Sequence, residues 1–210
     1  MFSYEELHKA LVERHGAELQ KKFDSAQAAV CGLGGLGSNI AVSLTRAGVG
    51  KLLLIDFDRV DVSNLNRQQY FYSKIGMYKT EALMQTLKKI SPFCEITAKT
   101  IRLTEENIPP LLADMPIICE AFDNAEQKAM LVNAVLTQLP KAYIVASSGM
   151  AGLGSPNAVH TRRITKHFYL CGDEHSDVSE GLGLVSARVA VCASHQATTV
   201  LRIIAGEYDT

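Results

Sequence analysis

Residues 28–38 read Ala28-Ala29-Val30-Cys31-Gly32-Leu33-Gly34-Gly35-Leu36-Gly37-Ser38. Four apolar residues run into a glycine-rich turn, and Ser38 stands where it can cap a helix carrying Ile40, Ala41 and Leu44 on one face. Ala47-Gly48 ends that helix. A second apolar run, residues 52–55, stops at Asp56, 24 residues after Gly32. The order is strand, glycine loop, helix, strand, acid. Glycines let the backbone turn sharply and approach a ligand, while the N–H groups that open a helix face anionic oxygens. An acid at this spacing meets a ribose hydroxyl. The stretch therefore predicts a nucleotide-binding turn with Gly32, Gly34, Gly35, Gly37 and Asp56 as candidate contacts. A purely structural glycine turn is the alternative.

Outward from this stretch the chain keeps alternating. Residues 77–90 carry Leu83, Leu87 and Ile90 at helical spacing and stop at Ser91-Pro92. A strand is expected over residues 95–100, then a short helical piece opened by Thr104 with Asn107. Residues 117–121 form a strand ending at Asp123-Asn124, residues 125–139 a helix, and residues 142–146 a further strand. Residues 158–163 and 167–170 suit a short antiparallel pair, residues 172–183 an acidic surface loop, and residues 188–204 a buried helix. Strands alternating with helices predict parallel pairing through right-handed crossovers. The expected fold is α/β: a Rossmann-like, doubly wound, mainly parallel sheet with helices on both faces and a small antiparallel C-terminal extension. Residues 1–25 read as a helical segment on the outside, and residues 26–210 as a single nucleotide-binding domain.

The 210 residues, 47% hydrophobic and 20% charged, are ordinary for a globular protein. A net charge of −1 argues against nucleic acid held by bulk electrostatics. No charged-then-apolar leader and no apolar run long enough to span a bilayer is evident, so the expected location is cytoplasmic, away from membranes. The five cysteines form no CxxC pair, so no zinc is expected. Cys31 and Cys119 read as core residues, Cys192 as structural, and Cys171, beside an acidic loop, as the one plausibly exposed thiol. His195 reads as a satisfied core histidine.

The chemistry is set beyond Asp56. Asp58, Ser63, Asn64, Arg67 and Gln68 concentrate polar groups where a nucleotide's phosphates emerge, and Lys79 opens the next helix. Asp123 ends a strand at the edge where such sheets bind ligands, a place suited to holding Mg²⁺. Each has a plainer reading. Arg67 could form a surface ion pair, Lys79 a solvated helix charge, Asp123 a helix cap, and Asp58 a turn.

Together Gly32 to Ser38 (GxGGxGS), Asp56 to Gln68 (DxDxVxxSNLNRQ), Lys79 and Asp123-Asn124 resemble the adenylating domain shared by ubiquitin-activating enzymes, MoeB and ThiF. The likeness covers residues 10–205. Asn64 to Phe71 and Gly149 to Gly152 are most similar to the compact ThiF-type enzymes of thiamine biosynthesis. The resemblance implies that Gly35 admits ATP, Asp56 holds its ribose, and Asn64, Arg67 and Gln68 contact the triphosphate. It implies that Lys79 neutralises the α-phosphate and the leaving pyrophosphate, and that Asp123, with Asn124 beside it, binds Mg²⁺. The implied substrate is the C-terminal glycine carboxylate of a small ubiquitin-like sulfur carrier, ThiS-like, which becomes an acyl-adenylate in thiamine thiazole biosynthesis. The resemblance also implies a homodimer in which Arg14 completes the partner's ATP site. Larger relatives carry a cysteine in the crossover loop, and residues 173–183 hold none. The rivals are a tRNA-modifying dehydratase of the same superfamily, a NAD-dependent oxidoreductase and a non-catalytic activator subunit.

Overall fold

Alternation within the first strand sets the architecture. In β1 (Gln27–Cys31) Ala28 and Val30 pack into one apolar layer and Ala29 and Cys31 into the other, all fully buried. A strand buried on both faces needs helices on both. One layer is closed by α3 (Gly35–Ala47), α4 (Lys79–Ile90) and α7 (Ser186–Ala205), through Ile40, Leu44, Leu83, Leu87 and Val200. The other is closed by α5 (Ile108–Leu112) and α6 (Ala125–Gln138), through Ile108, Leu112, Leu131 and Val135. The computed structural model describes residues 3–209; residues 1, 2 and 210, which the sequence reading includes in its segments, lie outside them.

The remaining strands are β2 (Lys51–Asp56), β3 (Glu95–Thr100), β4 (Ile117–Glu120), β5 (Tyr143–Ser147), β6 (His160–Thr165) and β7 (Phe168–Gly172). They form one sheet in the order β3-β2-β1-β4-β5-β7-β6. β1 pairs in parallel with both β2 and β4, so the chain winds outward in one direction, returns, and winds outward in the other. That reversal opens a crevice at the carboxyl ends of β1 and β4, where doubly wound sheets bind ligands. β7 lies parallel to β5 and antiparallel to β6, so the C-terminal pair extends the same sheet.

Two local expectations are corrected. Ahead of β1 the chain holds two helices, α1 (Tyr4–His15) and α2 (Ala17–Ser25), separated by Gly16 at φ 82°. Ser38 does not cap α3; Gly34 does, and the Ser38 hydroxyl donates back to the Gly34 carbonyl (2.7 Å) while accepting the Gln69 N–H (3.1 Å). Cys171 is fully buried, because β7 sits between β5 and β6 beneath α7, and burial pushes its thiol up to about 11. His195 is half-buried, its Nδ1 3.0 Å from the Thr161 hydroxyl. Among the described residues no helix is long and apolar enough to cross a membrane.

Candidate active site

A cavity of about 490 Å³ opens at the crevice between β1 and β4. Gly32, at φ +89°, turns the chain out of β1, and a Cβ there would come within 2.7 Å of the Ala121 carbonyl oxygen. The exits of β1 and β4 therefore touch. Gly34 and Gly35 line the cavity; Gly37 does not, and a Cβ on it would sit 1.8 Å from the Gly32 carbonyl oxygen. Its smallness seats α3 against the turn.

Asp56, at the end of β2, is buried and accepts the Leu33 N–H at 2.6 Å and the Asp58 N–H at 2.7 Å. It thus ties the glycine loop to the next strand while facing the cavity. Burial pushes its carboxyl above the ordinary range, against the pull of Lys79 and of the two N–H groups. Lys79 is buried, not a solvated helix charge: its Nζ donates to Asp58 Oδ2 at 2.9 Å, and its N–H to the Asp58 carbonyl at 2.9 Å. Asp58 is therefore the group that aims the lysine.

Ser63 and Asn64 do not line the cavity. They form a single 3₁₀ turn in which Asp61 accepts from Ser63, and Asn64 Oδ1 accepts the Asp61 N–H at 3.0 Å. The turn delivers Arg67 and Gln68, whose N–H groups donate to the Asn64 carbonyl at 3.2 and 3.0 Å. Arg67 lines the cavity and donates from one guanidinium nitrogen, Nη1, to the Ser63 carbonyl and to Asn66 Oδ1 (3.1 and 2.8 Å). Gln68 is buried beside it, and its Oε1 is sealed from solvent without a hydrogen-bond partner. A buried carbonyl of that kind calls for a donor, which a bound ligand can supply.

On the opposite wall Asp123 is exposed to the cavity and free of capping duty, because Asn124 caps α6 through its Oδ1 and the Gln127 N–H (3.0 Å). Among the described residues no three His, Cys, Asp or Glu side chains gather as a metal cage. One carboxylate facing a phosphate-sized space still suits Mg²⁺, which keeps waters and shares phosphate oxygens. Arg14 is exposed on α1 and does not reach this cavity. Leu11, one turn earlier, abuts Gly48, which precedes β2, so α1 lies toward the amino ends of the strands.

The residue reading missed two groups. Glu120, Lys128 and Ser147 form a bonded cluster in the wall, and Ser176, Asp177 and Val178 of the acidic loop face the cavity beside Gly149, Met150 and Ala151. That loop is clasped by a buried pair: Arg188 Nη2 donates to Asp173 Oδ2 at 2.5 Å, and Arg188 Nη1 reaches the carbonyls of Gly154 and Ser155. Burial alone would raise the Asp173 carboxyl. The N–H groups of Ser176 and His175, the Ser176 hydroxyl and Arg188 outweigh it and hold the group well below the ordinary range. No local sequence signal marks either pair, since the partners lie 8 and 15 positions apart and meet only in the fold.

The chain is 32% identical over 198 residues to the sulfur carrier protein ThiS adenylyltransferase of Bacillus subtilis, covering 91% of this chain and 58% of that protein. It is 29% identical over 154 residues to the tRNA threonylcarbamoyladenosine dehydratase of Escherichia coli, covering 72% of this chain and 57% of that protein. The crystal structure of E. coli tRNA N6-threonylcarbamoyladenosine dehydratase in complex with ATP superposes with a TM-score of 0.87 over 97% of this chain and 96% of that one, at 21% identity, which shows a shared fold. The ThiF family model runs from residue 7 to residue 210, through every element that lines the cavity, and this chain belongs to the ThiF family.

Proposed function

We propose that this chain uses Mg-ATP to adenylate the C-terminal glycine carboxylate of a small ubiquitin-like sulfur carrier, ThiS-like, of the kind that serves thiamine thiazole formation. One observation carries the reading: Gly34, Asp56, Arg67, Gln68, Lys79 and Asp123, scattered over 90 positions, meet around one cavity whose buried Gln68 carbonyl lacks a donor. Asp56 would hold the ribose and Gln68 would take a hydrogen bond from the nucleotide. Arg67 and Lys79 would face the phosphates, Arg67 with a planar fork suited to their oxygens. Asp123 would hold the magnesium ion, which when bound neutralises phosphate charge. The carrier's carboxylate attacks the α-phosphorus and pyrophosphate leaves, so catalysis is positioning and charge stabilisation in a preorganised site. The 1–25 helices and the 26–210 ATP-binding domain would work in the cytoplasm as a homodimer, with Arg14, remote from its own cavity, serving the partner's.

Pyrophosphate exchange tests this. The protein with Mg-ATP and a ThiS-like carrier is expected to exchange label, and Arg67→Ala or Asp123→Ala to lose it by roughly 10²–10³-fold. Undiminished exchange in both variants refutes the roles. A second reading, activation of a carboxylate on a modified tRNA adenosine, draws on the likeness to the E. coli dehydratase. ATP turnover that requires tRNA and ignores carriers would select it.

A further inference from the structure

Glu120 ends β4 with its side chain completely buried, at the wall of a cavity that would receive phosphates. An ionised carboxylate there is costly unless every lone pair is used. Every neighbour is arranged to use them. Lys128, in the first turn of α6, donates to Glu120 Oε1 at 3.1 Å and to Oε2 at 3.0 Å. The Phe122 N–H donates to Oε1 at 2.7 Å and the Ser147 N–H to Oε2 at 3.3 Å. Lys128 Nζ also donates to the Ser147 hydroxyl at 2.9 Å and approaches the Ser147 carbonyl at 3.3 Å. From the opposite face of the sheet Gln196 of α7 donates to the carbonyls of Glu120 (2.9 Å) and Val145 (3.2 Å).

Although Lys128 lines the cavity, an ammonium has three donors, and these are spent on Glu120 and Ser147. It is a tie and not a spare phosphate cation. What it ties is the turn of residues 121–124, held at its start by Glu120 and at its end by the first turns of α6. Asp123 sits within that turn, and Ala121 abuts Gly32.

We propose that Glu120 and Lys128 are positioning residues that brace this turn and so aim Asp123 at the metal-bound phosphates. This rests on the Mg-ATP reading above. The two ideas separate in one experiment, calorimetric titration of this chain with ATP, with and without Mg²⁺, alongside thermal melting. Lys128→Met is expected to weaken Mg-ATP binding about tenfold, the scale on which groups behind a metal ligand act. Metal-free ATP should lose much less, and Lys128→Arg should recover most of the affinity. In an Asp123→Asn background the same Lys128→Met change is expected to add almost nothing, because the pair acts through that carboxylate. If Lys128→Met fails to fold, Glu120→Gln with Lys128→Met removes both charges, leaves neither unpaired, and takes its place. Equal losses with and without Mg²⁺, or full additivity with Asp123→Asn, overturn the positioning role while leaving nucleotide binding intact. A wild-type protein that binds no Mg-ATP overturns both.

Discussion

The two halves of the sheet hold their side of the cavity by different physics. Around β1 and β2 the wall is made mainly by backbone: Gly32 turns, Gly37 admits the helix, and Asp56 takes N–H groups from the glycine loop and from its own exit, with the Lys79–Asp58 pair beside them. Around β4, β5 and β7 two ion pairs, Glu120 with Lys128 and Asp173 with Arg188, add charge to the close approach of Gly172 to Ser148. Backbone close approach tolerates no extra atom, whereas ion pairs tolerate shape change and are sensitive to charge. The halves should therefore fail under different insults.

The largest expected effect is steric, and in the first half it falls on Gly37. Gly37→Ala places a methyl 1.8 Å from the Gly32 carbonyl oxygen, backbone against backbone. A loss of roughly 3–5 kcal/mol in chemical denaturation is expected, with α3 displaced from the turn. Gly181→Ala in the loop over the second half meets nothing within 4 Å and pays only for its φ of +79°, about 1 kcal/mol. Equal costs at the two sites would erase the distinction.

The same contrast explains what could be read from sequence. The glycine turn, its flanking strands and Asp56 depend on spacing within one βαβ unit, so the parallel core and the cavity's first wall are legible from residues 28–56. Arg67, Gln68, Lys79 and Asp123 were legible as a polar series after Asp56, and the structure gathers them. Ser63 and Asn64 were legible as polar but not as turn-formers, because the Asp61 to Asn64 bonds turn their side chains inward on the turn itself. The ion pairs were not legible. Glu120 lies among apolar residues and Lys128 among helix surface residues, and only the fold makes them partners. Cys171 was misjudged for a related reason: its acidic neighbours in sequence suggest a loop, while the strand order places it between two strands and under a helix.

A charge-based insult should reach the second half first. The Asp173 carboxyl is held below its ordinary value, so folding binds its proton more weakly than the unfolded chain does. Its stabilisation is complete above the unfolded value of about 3.9 and is lost as pH falls below that toward the folded value. Asp56 has the opposite sign, since burial raises it and acid relieves rather than breaks its setting. Melting followed from pH 7 to pH 3 is expected to show Asp173→Asn less stable than wild type at pH 7, with the gap closing below about pH 4. The acidic loop over residues 173–185 should become protease-sensitive in the same range. A gap that stays constant across the series would show that Arg188 holds the loop without help from that carboxylate.

The smallest effect concerns the thiol beneath this clasp. Cys171 is fully buried, and its hydroxyl neighbours Thr161 and Thr199 pull its thiol down only partly against burial, which leaves it at about 11. At neutral pH only about one Cys171 in ten thousand is then a thiolate, too few for a covalent step and hidden from solvent besides. Cys192 is no better placed: it is buried on α7, with its thiol pushed up to about 12. Cys171→Ala is accordingly expected to leave pyrophosphate exchange within about twofold of wild type and to cost about 1 kcal/mol of packing. All five cysteines are buried and free, so the native protein should resist a thiol reagent that labels all five on unfolding. Rapid labelling of one native thiol, protected by Mg-ATP, would place a reactive cysteine at the cavity after all. The second half would then hold chemistry and not merely charge.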